Sequence, residues 1–221
     1  MTIRNLRTRV KICCISDPLE AKMAIDAGAD AIGLVGPMPS GPGIIDNEMI
    51  NIIAKSLPAS VSSFLLTSET QPETIINHYN KVNTSTIQFV DEIKLIDYKT
   101  IRSALPHVKL VQVIHVLDES AIDQTIEASN FVDTILLDSG NPNKAVKELG
   151  GTGRKHNWEI SQSIVEKCKV PVFLAGGLNP KNIQTAINTV KPFGVDICSG
   201  IRTNGKLDQS KLNHFFSALK T

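Results

Sequence analysis

The sequence predicts one closed (βα)8 TIM barrel, an α/β fold with an eight-stranded parallel sheet, on three observations. Eight short apolar runs rich in β-forming residues recur along the chain, and segments of helical length separate them. A length of 221 residues suits one barrel of modest size. No G-x-G-x-x-G follows the first run at Ile15, which disfavours an open dinucleotide-binding sheet. Strict alternation of strand and helix implies parallel strands joined by right-handed crossovers.

The strands are expected at about residues 7–15, 30–35, 60–66, 85–90, 108–116, 133–138, 171–175 and 194–198. Helices follow from near Pro18, Asp46, Pro72, Asp97, Asp118, Trp158, Pro180 and Asp208, many of them opening on the Asp or Pro that favours a first turn. The first helix has the clearest signals. Asp17 can cap it, Pro18 fits its first position, Glu20 stands three residues past the cap, and Gly28 ends it. Residues 1–8 read as an N-terminal tail and 9–221 as the barrel domain.

Composition narrows the partners. With 42% hydrophobic residues the chain can bury a large core, and a net charge of +1 gives no electrostatic case for nucleic acid or an acidic membrane. No apolar run approaches the ~18 residues of a spanning helix, and Arg4, Arg7 and Arg9 precede no signal-peptide core. Cys13, Cys14, Cys168 and Cys198 lack C-x-x-C spacing and read as reduced thiols of a cytoplasmic protein. The five histidines form no metal-ligand spacing, so no metal is expected. A small phosphorylated molecule is the expected partner, and a homodimer is compatible with the sequence.

In a barrel the chemistry sits where strands end. Strand 1 ends in the two cysteines; alternation puts Val10, Ile12 and Cys14 on an apolar face and turns Lys11 and Cys13 the other way. A thiolate at Cys13 would serve as a base, while a buried inert thiol is the plainer alternative. Strand 6 runs Thr134-Ile135-Leu136-Leu137-Asp138, and the parity of Asp138 points it inward, as a general acid or as a loop-capping aspartate. Three glycine clusters follow strands 6, 7 and 8: Gly151, Thr152 and Gly153; Gly176 and Gly177; Ser199 and Gly200. Backbone N–H groups brought together there would cradle a phosphate, at the strand 7 and 8 loops where barrels often bind one. Lys11 and Asp196, on neighbouring first and last strands, suggest a buried ion pair.

These motifs, in this order and spacing, resemble phosphoribosylanthranilate isomerases of tryptophan biosynthesis, nearly end to end. The family's KICGI appears as KICCI at 11–15, followed by AIDAGADAIGLV at 24–35, ILLDS at 135–139, GGTG at 150–153, LAGGLNPKNI at 174–183 and KPFGVDICSGI at 191–201. The resemblance implies a cofactor-free Amadori rearrangement, aldose to ketose. In it Asp138 protonates the furanose oxygen, Cys13 removes the proton from carbon 2, and the glycine clusters hold the phosphate.

Departures from the family pattern fall on the wall for the aromatic end. The usual S-x-R-Y-like loop after strand 2 is here residues 36–43, which include Pro42 and no arginine. Q-L-H-G is Gln88-Phe89-Val90-Asp91, the acid after S-S-G-V is Arg202, and the glycine after the catalytic cysteine is Cys14. Lys11, Gln88 and Arg202 are therefore assigned to the substrate, with Arg202, Arg154 or Lys155 replacing the missing cation. An isomerase of another phosphorylated sugar or aminosugar, and a non-catalytic sugar-phosphate-binding barrel, are the alternatives.

Overall fold

The computed structural model describes residues 7–39, 41–141, 143, 144, 147, 153 and 155–219. Eight parallel strands close on themselves in sequence order, β1 (Arg9–Ile12), β2 (Ala31–Val35), β3 (Ser62–Thr67), β4 (Thr86–Phe89), β5 (Lys109–His115), β6 (Thr134–Asp138), β7 (Val172–Leu174) and β8 (Gly194–Ile197). Helices α1 (Pro18–Ala27), α2 (Asn47–Ser56), α3 (Pro72–Val82), α4 (Leu95–Ala104), α5 (Ser120–Ala128), α6 (Trp158–Lys167), α7 (Ile183–Val190) and α8 (Gln209–Ala218) alternate with them. The first and last strands make the closing seam, with Lys11 opposite Asp196 and Ile12 opposite Ile197.

Local chemistry accounts for the helix starts. The Asp17 carboxylate accepts from the Leu19 and Glu20 N–H groups at 2.9 Å, and Gly28 ends α1 at φ +113°. Asp46 and Asp208 cap α2 and α8 in the same way. Glu20 departs from the capping box: it accepts from the N–H of Ser16, one residue before the cap, at 3.1 Å. The α4 and α5 starts are displaced by a few residues, because Asp97 lies within the first turn of α4 and Asp118 binds the Ser120 N–H from outside α5. Arg7, expected in the tail, is held by two hydrogen bonds to Asp30, at 2.8 and 2.7 Å.

Two apolar layers result. Outward strand residues such as Ile12, Ile32, Leu65, Ile135 and Leu137 pack with the helices in one continuous core. Inside the barrel a smaller cluster includes Ala31, Phe64, Val111, Val113, Leu136 and Phe173, with Phe64 edge-on to Phe173 at 6.3 Å between ring centres. Alternation along β6 therefore works as expected, with Leu136 and Asp138 inward and Ile135 and Leu137 outward. A short strand pair, β9 (Arg202–Thr203) and β10 (Lys206–Leu207), joins β8 to α8 and was not foreseen.

Candidate active site

At the C-terminal ends of the strands an open-mouthed pocket of about 680 Å³, counting the solvent at its entrance, is walled by Cys13, Asp138, Gln88, Asp196 and the turns after β7 and β8. Beneath it Lys11 is wholly buried, its Nζ 2.9 Å from Asp196 Oδ2 and 5.3 Å from the centre of the Phe64 ring. Gly33 makes this possible: a Cβ there would lie 2.8 Å from the Cys13 Sγ and 3.1 Å from the Lys11 Nζ. Burial works against the Lys11 charge, but the Asp196 carboxylate and the neighbouring thiols hold its pKa above the ordinary lysine range.

Lys11 makes the buried ion pair expected of it but not the expected substrate contact. It lies under the pocket floor, paired to Asp196, and is absent from the wall. Asp196 takes its place there, with Oδ1 buried and unpartnered. Gln88 does reach the wall and likewise holds a buried, unpartnered Oε1. Each of these two wall residues thus keeps a buried polar atom that no described residue satisfies.

Asp138 closes β6 with its carboxyl buried, accepting from the Ser139 N–H at 2.7 Å. Burial pushes its pKa up against that hydrogen bond and the nearby His115 and Lys11. A carboxyl kept protonated beyond its ordinary range can donate a proton. His115 sits beside it in register on β5, its Nε2 3.1 Å from the Val90 carbonyl.

Cys13 lies three strands round the barrel from Asp138, its N–H bonded to Ile197 O at 2.9 Å, so its backbone is an extension of β1 against β8. The alternation argument fails one residue later. Regular strand ends at Ile12 and Cys14 turns into the left-handed region at φ +63°, so both cysteines join the inner cluster and line the pocket. Cys14 is therefore not a helix-side packing residue.

Part of the glycine pattern converges on the pocket. Gly153, Gly176, Gly177 and Ser199 share one wall, with Gly176 and Gly177 both left-handed at φ +82° and +63°. Side-chain amides of Asn179 and Asn182 hold the Gly177 carbonyl at 3.1 and 2.9 Å, which fixes that turn. Gly200 has a different task. A Cβ on it would lie 2.2 Å from the Leu178 carbonyl oxygen, so it lets the β8 turn close on the β7 turn and lies outside the pocket wall. Gly151, Thr152 and Arg154 fall outside the described residues.

Neither remaining cation candidate reaches the ligand space. Arg202 is spent on the scaffold: its guanidinium pairs with Glu20 at 3.1 Å and donates to the Cys13 and Gly205 carbonyls at 3.1 and 2.9 Å and to the Cys14 carbonyl. Lys155 covers the Trp158 ring at 5.0 Å. The wall expected to meet the aromatic end of a substrate is instead apolar, made by Val35, Met38, Pro42, Leu66 and Val90. Sequence reasoning missed the Glu20–Arg202 brace, because its partners are about 180 residues apart, and missed the contact between Cys14 and Cys198, whose sulfurs are 2.7 Å apart.

Comparison with known proteins gives the site its context. Residues 10–218 match the family described as "PRAI: N-(5'phosphoribosyl)anthranilate (PRA) isomerase". This chain belongs to that family. A PRA isomerase from Methanosarcina acetivorans is 31% identical over 98% of this chain and 94% of its own length. A second, from Methanosarcina mazei, is 33% identical over 96% of this chain and 94% of its own. The crystal structure of the Thermotoga maritima PRA isomerase superposes with a TM-score of 0.83 at 28% identity, covering 96% of this chain and 98% of that one.

Proposed function

We propose that this PRA isomerase family member converts N-(5-phosphoribosyl)anthranilate to its ketose isomer in tryptophan biosynthesis, with Asp138 as acid and Cys13 as base. The observation that carries this reading is the convergence of a buried, proton-retaining carboxyl and a thiol on one pocket whose remaining wall is left-handed glycine turns. The family match and the near-complete coverage by curated isomerases support it over an isomerase of another sugar phosphate or a non-catalytic barrel.

The Asp138 carboxyl gives its proton to the furanose ring oxygen as the C1–O bond breaks, and the nitrogen lone pair forms the iminium. Cys13, as thiolate, takes the proton from carbon 2, and the electrons flow into the iminium to give the enolamine, which tautomerises to the ketone. Gly153, Gly176, Gly177 and Ser199 cradle the phosphate and set carbon 2 against the thiol. Asp196 and Gln88 offer acceptors to sugar hydroxyls, and Met38, Pro42 and Val90 cover the aromatic ring. We place the reaction in the cytoplasm, a setting that suits four free cysteines.

Supplying the purified protein with phosphoribosylanthranilate and following the decay of substrate fluorescence tests this. Turnover that vanishes in Cys13→Ala and in Asp138→Asn is expected. A folded wild type that binds phosphate but leaves the fluorescence unchanged rejects the assignment, and turnover of a different phosphorylated sugar in a substrate panel replaces it.

A further inference from the structure

One feature of the pocket wall has no part in isomerisation. Cys14 occupies left-handed backbone, at φ +63°, where any side chain is strained and where the related motif carries glycine. Its Cβ is wedged against Gly43, which would not tolerate a Cβ of its own, the gap being 2.6 Å. The thiol reaches across the β1–β8 seam. Cys198, just past the end of β8, meets it with 2.7 Å between the sulfurs. Cys14 is buried and Cys198 half-buried, and both line the open pocket, where a small solute arrives.

We propose that Cys14 and Cys198 are a redox-active dithiol, which a hydroperoxide converts to a reversible disulfide joining the first and last strands. The two sulfurs are not equivalent. The Cys198 thiol is pulled below its ordinary range by its hydrogen bond with Cys14, against burial and with help from the Arg202 guanidinium. Cys14 is pushed up by its hydrogen bonds with Cys13 and Cys198 and by burial. Cys198 is accordingly the attacking sulfur and Cys14 the resolving one.

Peroxide oxygen is attacked by the Cys198 thiolate; the O–O bond breaks, a sulfenic acid forms, and the departing hydroxide takes a proton to become water. Cys14 sulfur then attacks the sulfenic sulfur, the S–O bond breaks, and the second hydroxide leaves with the Cys14 proton as water. Two thiols lose two electrons and one peroxide becomes two waters. The inference is independent of the isomerase reading, since it concerns sulfur chemistry alone.

The test exposes reduced protein to hydrogen peroxide, stops the reaction with catalase, blocks remaining thiols in denaturant and maps the peptides by mass spectrometry. Free thiols should fall from four to two, with a dithiothreitol-sensitive link between the peptides carrying residues 14 and 198. Cys13→Ala should keep the link, which assigns it to Cys14 rather than to its neighbour. Cys14→Gly, which relieves the strained backbone and so folds, and Cys198→Ser should each show no link. Four thiols surviving peroxide, a bond to Cys13 or Cys168, or a link that persists in Cys14→Gly would overturn the proposal.

Discussion

Breaking the Lys11–Asp196 pair should unfold the barrel at far lower denaturant concentration, whereas replacing both partners should not. At 2.9 Å the Coulomb attraction is about 6 kcal/mol for an effective dielectric constant of about 20. Desolvation of two ions costs several kcal/mol each, so the intact pair is close to neutral against an apolar substitute. A single removal is another matter, because Lys11 has no exposure and Asp196 only 8%. Asp196→Leu leaves a buried ammonium and Lys11→Met a buried carboxylate, each at a loss of roughly 3–5 kcal/mol. For a domain of this size that lowers Tm by roughly 6–20 °C. The double variant Lys11→Met/Asp196→Leu should recover most of it. Urea unfolding of all four proteins at pH 7 measures the coupling directly. The pH sign follows from the raised Lys11 value: the pair's contribution is fully present below the ordinary lysine pKa, about 10.4, and is lost as pH rises above it. Single variants within about 1 kcal/mol of wild type, or a double variant as unstable as the sum of the singles, would refute this reasoning.

Three further outcomes follow from the same structure. Asp138→Asn should lower kcat by about 10²-fold or more while raising Tm at pH 7. Its raised carboxyl pKa means that the wild type loses stability as pH climbs from the ordinary aspartate range through the folded value, and asparagine escapes that loss while keeping the Ser139 contact; a lower Tm would contradict it. Burial holds the His156 pKa down at about 4, so this residue contributes up to about 3 kcal/mol that is present above pH 6.5 and disappears as pH falls towards 4. Urea midpoints from pH 7 to 4 should therefore fall less steeply in His156→Gln. Arg202→Ala should destabilise by roughly 3–5 kcal/mol through the buried Glu20 it leaves behind, with KM little changed in the folded fraction; a selective rise in KM would return Arg202 to the substrate.

Periodicity made the barrel legible, because each strand must present one face to the helices and another to the interior. Asp138 and the glycine turns were legible for the same reason, being placed by strand ends and by the need for left-handed backbone at Gly176 and Gly177. What escaped was decided elsewhere in the chain. Parity assigned Cys14 to the outer face, but parity holds only while the strand lasts, and β1 stops at Ile12. Arg202 looked like a ligand for a carboxylate and found one, in Glu20 of α1 rather than in a substrate. Lys11 has the correct inward direction, but it is wholly buried and off the pocket wall.

The seam between β1 and β8 has a temporal consequence. Arg9 pairs with Gly194 across about 185 residues, and the same junction sets Lys11 against Asp196 and fixes Cys13 through the Ile197 carbonyl. Nearly the entire chain must leave the ribosome before its first strand finds this last neighbour, and ring closure over so long a contour comes late. Catalytic competence would then switch on in a single final event rather than accumulate. A chain truncated before residue 194 would hold most of a barrel and no working pocket, and its unpaired β1 edge would be the surface most open to pairing with another copy.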